Sequence, residues 1–334
     1  MKIIDNKSLK EHNTFGIDAS AKEFVTVKNI DELKEALQTD LEILILGGGS
    51  NVLFTKDFPG RVIKNEIKGI STVRENDNNV LIKAMGGEVW HEFVLYTVNQ
   101  NLGGIENLSL IPGTVGAAPM QNIGAYGTEI KDTLESLEAL EIETGAIKKF
   151  TANECNFGYR SSIFKNELKN KFFIISATFN LSKSPIINAS YGKVADSLHE
   201  KAISNPTVKD VSDAIINIRS SKLPDWRKIG NAGSFFKNPV INKKYFLKIK
   251  QKYPDVPSFE IPENQIKIPA GWLIEKCGFR GKTKGNTGTY EKQALIIINK
   301  GNATGLEILN FSKEIQRCVK NKFGIKLDTE VNFY

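Results

Sequence analysis

Ile111-Pro112-Gly113-Thr114-Val115-Gly116-Ala117-Ala118-Pro119-Met120-Gln121-Asn122-Ile123-Gly124-Ala125-Tyr126-Gly127 is the stretch on which the reading of this chain turns. Four glycines and two prolines fall within these seventeen residues, and no side chain among them is charged. Glycine admits positive φ and lets another group come close, and proline fixes φ. Flexible surface linkers favour Ser and charged residues instead. The stretch therefore reads as a rigid loop whose backbone N–H groups suit an anion such as a pyrophosphate. Thr114, Gln121 and Asn122 add side-chain hydrogen bonds.

A second stretch of this kind lies upstream. Leu41–Leu46 reads as a buried strand that runs straight into Gly47-Gly48-Gly49-Ser50-Asn51-Val52-Leu53-Phe54. A strand ending in a glycine triplet with Ser and Asn has the makings of a phosphate-binding turn. No Lys-Ser/Thr pair follows, so it is not a P-loop, and no G-x-G-x-x-G opens a helix. Two such loops in one chain point to a ligand with an extended phosphate, such as a dinucleotide.

Composition narrows the partners. The 334 residues suggest two or three domains. A chain 40% hydrophobic and 25% charged is ordinary for a soluble enzyme. A net charge of +7 favours anionic partners. The basic residues are spread out, with no Lys/Arg block interleaved with aromatics, so a small anionic substrate is read in preference to nucleic acid. Cys155, Cys277 and Cys318 are far apart and form no C-x-x-C, which suggests reduced thiols in the cytoplasm. His12, His91 and His199 are scattered too, and no metal site is read. Met1–Lys10 lacks the apolar run of a secretory signal, and no run approaches a membrane span.

Helical periodicity predicts helices over 31–38, 88–101, 209–222, 270–277 and 305–322. Thr304 is the predicted N-cap of the last and Gly324 the residue that ends it. His91 is read as a surface or packing residue of its helix. Strands are predicted over 61–64, 80–85, 172–181, 294–299 and 329–334. A hairpin joins 136–143 to 148–150 through Thr144-Gly145. Ser184–Asn205 reads as irregular and, with Tyr191, as a candidate lid. The mixture is α+β without a regular βαβ period.

Three segments carry candidate chemistry. Arg160, between the aromatics of Phe157–Phe164, offers a planar fork for a carboxylate, or else a structural ion pair. Ser234 follows small residues in Gly230–Pro239, which leaves its hydroxyl exposed; it lacks the G-x-S-x-G elbow and equally suits a turn. Glu330 sits in an apolar terminal strand, where burial raises a carboxyl pKa and an exposed edge does not.

In order and spacing, Gly47–Phe54, Ile111–Gly127, Gly158–Lys165, Gly230–Pro239 and the Glu330 strand resemble the UDP-N-acetylenolpyruvoylglucosamine reductase family over nearly the whole chain. The resemblance implies an α+β protein: a two-part FAD-binding fold of the vanillyl-alcohol-oxidase type, made by 1–68 and 69–221, plus a C-terminal substrate-binding domain, 222–328. The strand 329–334 would return near the active site. Non-covalent FAD would lie against Gly47, Gly48, Gly49, Ser50 and Asn51, and against Pro112, Gly113, Thr114, Gly116, Ala117, Gln121, Asn122, Gly124, Ala125 and Tyr126. The implied reaction is NADPH-dependent reduction of UDP-N-acetylglucosamine enolpyruvate to UDP-N-acetylmuramate in peptidoglycan precursor synthesis. A cytoplasmic monomer would carry it out, both substrates using one pocket in turn. Arg160 and Glu330 would act on the substrate carboxylate, and Ser234 would give the proton. Tyr191, Lys222, Asn238, Lys267 and Gln293 would contact the nucleotide sugar, Tyr191 marking the longer form of the family. Ser161 departs from the acidic residue frequent there, which puts the hydrogen bonding around Arg160 in doubt. Two rival readings remain. One is another FAD-dependent oxidoreductase of the fold. The other is a non-catalytic nucleotide-sugar-binding protein, which bound flavin would exclude.

Overall fold

Period-two burial along Asn79–Met85 puts Val80, Ile82 and Ala84 on one covered face. This is the signature of a half-buried strand. The strand belongs to an antiparallel sheet in the order Ile147–Thr151, Leu134–Glu141, Phe172–Ser182, Asn79–Met85, Ile70–Glu75. The middle strand, Phe172–Ser182, is apolar on both faces because both are covered. Phe172, Ile174 and Ala177 join a core with Trp90, Phe93 and Val98 of the helix Trp90–Val98. Phe173 and Ile175 join another with Val25, Leu33 and Ile63. That second core belongs to a four-stranded sheet in the order Ile3–Ser8, Ser20–Val27, Phe58–Asn65, Ile43–Leu46, in which the last two strands are parallel. Helix Ile30–Ala36 contributes Leu33 and Ala36 to it.

The computed structural model describes residues 1–334, which form two compact units. The first comprises 1–7, 21–48 and 59–221 and holds both sheets just described. The second comprises 8–20, 49–58 and 222–334. Its main sheet runs Gly230–Ser234, Gln293–Asn299, Thr287–Tyr290, Thr283–Lys284. A smaller sheet of Val240–Asn242, Gln265–Lys267 and Phe259–Ile261 stands beside it in the sequence.

Helix Gly305–Phe323 has the ends its sequence predicts. Thr304 Oγ1 accepts from Glu307 N at 3.2 Å, Glu307 Oε2 accepts from Thr304 N at 2.7 Å, and Gly324 takes φ +66. This is a capping box closed by a left-handed glycine. Ile308, Phe311, Ile315, Val319 and Phe323 form the buried stripe.

The structure corrects two sequence expectations. Ser184–Asn205 is not irregular throughout, since Gly192–Glu200 is an α-helix. Its buried Val194 and Leu198 pack with Val211, Ala214 and Ile215 of helix Val208–Lys222. The terminal strand is confined to Asn332–Phe333, which pairs in parallel with Val52–Leu53. The strands Ile3–Ser8, Ser20–Val27 and Ile70–Glu75 escaped the sequence reading. Ile70–Glu75 is almost wholly exposed and carries no apolar alternation to announce it.

Candidate active site

In the first unit the two glycine loops meet backbone to backbone. A Cβ on Gly47 would lie 2.6 Å from Thr114 Oγ1, and one on Gly48 would lie 2.9 Å from Gly113 Cα. A Cβ on Gly116 would lie 2.9 Å from Ile174 O, where Gly116 N donates to Gly86 O at 2.9 Å. The result is a tightly packed turn region with almost no side chains, of the kind whose free backbone donors suit an anion. Beneath it the Lys64 ammonium donates to Gly47 O, and burial lowers its pKa. Lys64 is a cation at this turn that the sequence reading missed. Pro112 and Ala117 stand exposed along the loop, while Gln121, Gly124, Ala125 and Tyr126 are half-buried.

Four hydrogen bonds donated from Gly158–Lys165 stitch it to the far end of the loop. Arg160 Nη2 donates to Gly124 O at 2.7 Å and Nη1 to Asn122 O at 3.5 Å. Ser162 Oγ donates to Met120 O at 2.7 Å, and Lys165 Nζ to Gln121 Oε1 at 3.0 Å. Asn122, fully buried at φ +45, is the hub. Its Nδ2 donates to Glu129 Oε2 at 2.9 Å and Gly158 O at 3.1 Å, and its Oδ1 accepts from Lys131 N at 3.1 Å. Asn tolerates the left-handed region better than most residues. Arg160 itself sits at φ +53, so its fork is aimed by a held backbone. Ser161, where an acid was expected, accepts from Asn166 Nδ2 at 2.8 Å and leaves Arg160 to the loop carbonyls.

Tyr126 ends this loop at φ +49. The Tyr191 ring meets it edge to face, 5.5 Å between centroids. Asn107, absent from the sequence reading, ties the two segments: its Nδ2 donates to Tyr126 O and to Asn188 O, each at 3.0 Å.

In the second unit, three segments converge on Ser234 and Glu330. Gly233 takes φ +67, and the ladder to Gln293–Asn299 shifts register between Asn231 and Ser234. This glycine bulge turns the exposed Ser234 hydroxyl out of the sheet. Next to it, Phe235 O accepts from Glu330 N at 2.9 Å. Glu330 is half-buried, and its carbonyl accepts from Asn51 Nδ2 at 3.2 Å. Asn51 O in turn accepts from Asn332 N at 3.1 Å. Ser50 lies half-buried in the same turn, beside the buried Gly49.

Thr14 holds this arrangement, in a turn that Asn13 closes through Leu9 O, Ile17 O and Ile17 N. Thr14 N donates to Gly49 O at 3.0 Å, and Thr14 Oγ1 donates to Asn231 O at 2.6 Å. Their only signal in the sequence was a short polar cluster before Phe15-Gly16. Asn238 Oδ1 accepts from Ala270 N at 2.9 Å, and Gln293 Oε1 lies 2.8 Å from where a Cβ on Gly271 would be. Both therefore meet at the start of helix Ala270–Lys276, three residues after Lys267. Lys222 ends helix Val208–Lys222.

Two glycine-lined loops on sheet ends, followed by a separate α+β unit, define an FAD-binding fold with an added domain. A model described as an FAD binding domain matches residues 21–151, and one described as UDP-N-acetylenolpyruvoylglucosamine reductase, C-terminal domain, matches 224–334. The protein of Flavobacterium johnsoniae named UDP-N-acetylenolpyruvoylglucosamine reductase is 53% identical over 335 residues, covering 99% of each chain. Its namesake in Pseudomonas fluorescens is 44% identical over 331 residues, covering 98% of this chain and 97% of that one. The chain belongs to the UDP-N-acetylenolpyruvoylglucosamine reductase family. A reductase of that name from Thermus caldophilus, 23% identical with TM-score 0.68 over 100% of this chain and 98% of that one, shares the fold.

Proposed function

We propose that the chain reduces UDP-N-acetylglucosamine enolpyruvate to UDP-N-acetylmuramate, with NADPH as reductant and FAD as cofactor. The full-length identity to named reductases carries this reading. The glycine loops support it, because their close backbone approach is the kind of turn that suits a pyrophosphate. When bound, FAD supplies the hydride taken from NADPH. Gly47, Gly48, Gly113, Thr114 and Gly116 hold it in the first unit.

The chain's own residues do the rest. Arg160 acts on the substrate carboxylate, while the loop carbonyls of Asn122 and Gly124 fix the orientation of its guanidinium. Negative charge grows on that carboxylate as the enolate develops, so a preorganised donor lowers the barrier. Glu330 is held one hydrogen bond from Phe235 and acts on the same carboxylate. Ser234 gives its proton to the carbon next to the carboxylate. Its hydroxyl is a weak acid, but the carbon acid formed is weaker still. Lys222, Asn238, Lys267 and Gln293 contact the nucleotide diphosphate and uridine, and Tyr191 also contacts the nucleotide sugar. The working form in this reading is a cytoplasmic monomer.

The test is the visible spectrum of the purified protein under anaerobic conditions. Flavin bands should bleach with NADPH and return on adding the enolpyruvyl nucleotide sugar. Ser234→Ala should keep the bleaching and lose the return by at least about a hundredfold. A protein that stays colourless with added FAD would overturn the reading.

A further inference from the structure

Helix Val208–Lys222 buries Val211, Ser212, Ala214 and Ile215, and four residues on it carries Arg219. Arg219 is half-buried, its Nε is shut away from solvent, and no carboxylate pairs with it. Its guanidinium hydrogen-bonds the Tyr126 hydroxyl, and its Nε has no partner. A partly buried cation with so little compensation is costly, so its retention calls for a role beyond packing. The neighbours indicate which. Tyr126 packs against the small core that joins Val194 and Leu198 of helix Gly192–Glu200 to Val211, Ala214 and Ile215. On its other side it meets the Tyr191 ring, 5.5 Å away at 84°. Its backbone is held at φ +49, and its carbonyl shares the Asn107 amide with Asn188, three residues before Tyr191.

We propose that Arg219 is a positioning residue for the lid: by holding the Tyr126 hydroxyl it fixes the ring on which Tyr191 docks, and so sets how tightly the nucleotide sugar is gripped. This rests on the reading of Tyr191 as a ligand contact. A phenol ring pivots about its χ angles, and a hydrogen bond at its far end removes that freedom. The guanidinium donates to the phenol oxygen and leaves the phenol proton for another acceptor. Because Tyr191 meets the ring edge-on, a tilt of Tyr126 displaces Tyr191 directly.

The experiment measures the dissociation constant of the nucleotide sugar for the oxidised holoenzyme by calorimetric titration, alongside KM and kcat. The variants are Arg219→Met, Arg219→Lys, Tyr126→Phe, Tyr191→Ala and the double variant Arg219→Met/Tyr191→Ala. Arg219→Met is expected to weaken binding about tenfold while kcat stays within about twofold. Arg219→Lys, which keeps a donor, recovers most of the loss. Tyr126→Phe weakens nucleotide-sugar binding to the same extent as Arg219→Met, because each breaks the same hydrogen bond. In the Tyr191→Ala background, Arg219→Met adds nothing, as expected of residues acting in series. A full further tenfold loss in that background would mean that Arg219 touches the ligand's anion itself, and would overturn the proposal. So would unchanged binding in Arg219→Met while Tyr191→Ala binds poorly. If Tyr191→Ala itself binds normally, the lid reading falls first and takes the proposal with it.

Discussion

His91 Nδ1 accepts a hydrogen bond from the Leu110 amide at 2.9 Å. Leu110 stands at φ +58, one residue before the glycine loop begins, so an imidazole fixes the strained entry to that loop. Only a neutral imidazole, with Nδ1 unprotonated, can make this bond.

Burial pulls the His91 pKa below its usual value, Arg219 adds to that, and Glu92 opposes it. A base whose folded pKa is depressed binds its proton more readily when unfolded. Its stabilising contribution is therefore present above the unfolded value, about 6.5, and is lost as pH falls below it. Thermal melting of the wild type should drop between pH 7.5 and 5.5. His91→Gln, whose amide oxygen accepts the same bond and does not titrate, should show a shallower drop. Parallel profiles would show that the loss comes from other groups.

Gly230 and Gly233 should respond differently to alanine. A Cβ on Gly230 would lie 2.2 Å from Phe15 O, a backbone atom that Asn299 Nδ2 also holds at 2.9 Å. Gly230→Ala should cost about 3 kcal/mol by chemical denaturation. Gly233 has open space around it but positive φ, so Gly233→Ala should cost about 1 kcal/mol. Its larger effect should fall on reoxidation by substrate, because it distorts the bulge that presents Ser234. Equal stability losses would contradict this account of the segment.

Asn122→Ala removes three side-chain hydrogen bonds from a fully buried position and puts a residue without Asn's tolerance at φ +45. A loss of about 3 kcal/mol is expected. The backbone carbonyls of Asn122 and Gly124 that hold Arg160 lose their side-chain anchor at the same time, so substrate turnover should suffer beyond what the lost stability explains. Single-turnover rates at a temperature where the variant is fully folded would separate the two effects.

Burial pushes the Cys155 thiol up to about 12. Its thiolate at pH 8 is then only about one part in ten thousand. Alkylation of the native protein followed by peptide mass analysis should leave Cys155 unlabelled until denaturant is added. Rapid native labelling would mean that Cys155–Asn166, which folds beneath the glycine loop, opens readily.

Much of this architecture was legible because local rules and tertiary packing agree. The Thr304–Glu307 box and Gly324 mark the last long helix without ambiguity, and the apolar run 172–181 announces a strand covered on both faces. The glycine loops were legible for a related reason: stretches that cannot fill a core need another purpose. What escaped is what depends on distance along the chain. Thr14 matters through Gly49 and Asn231, and Arg219 through Tyr126; no window of sequence contains either pair. The helix Gly192–Glu200 was hidden because only Val194 and Leu198 mark its buried face, which is too short a stripe to read.

The ladder between Val52–Leu53 and Asn332–Phe333 also sets a timetable. Asn51 and Asn332 are 281 positions apart, so at typical translation rates the first strand waits on the order of tens of seconds for its partner. Throughout that interval an apolar edge stands open on the nascent chain, next to the turn that will carry Asn51. Asn332–Phe333 thus acts as a clasp, and a bulky insertion placed beside it delays the closing of the unit that carries Ser234 and Glu330.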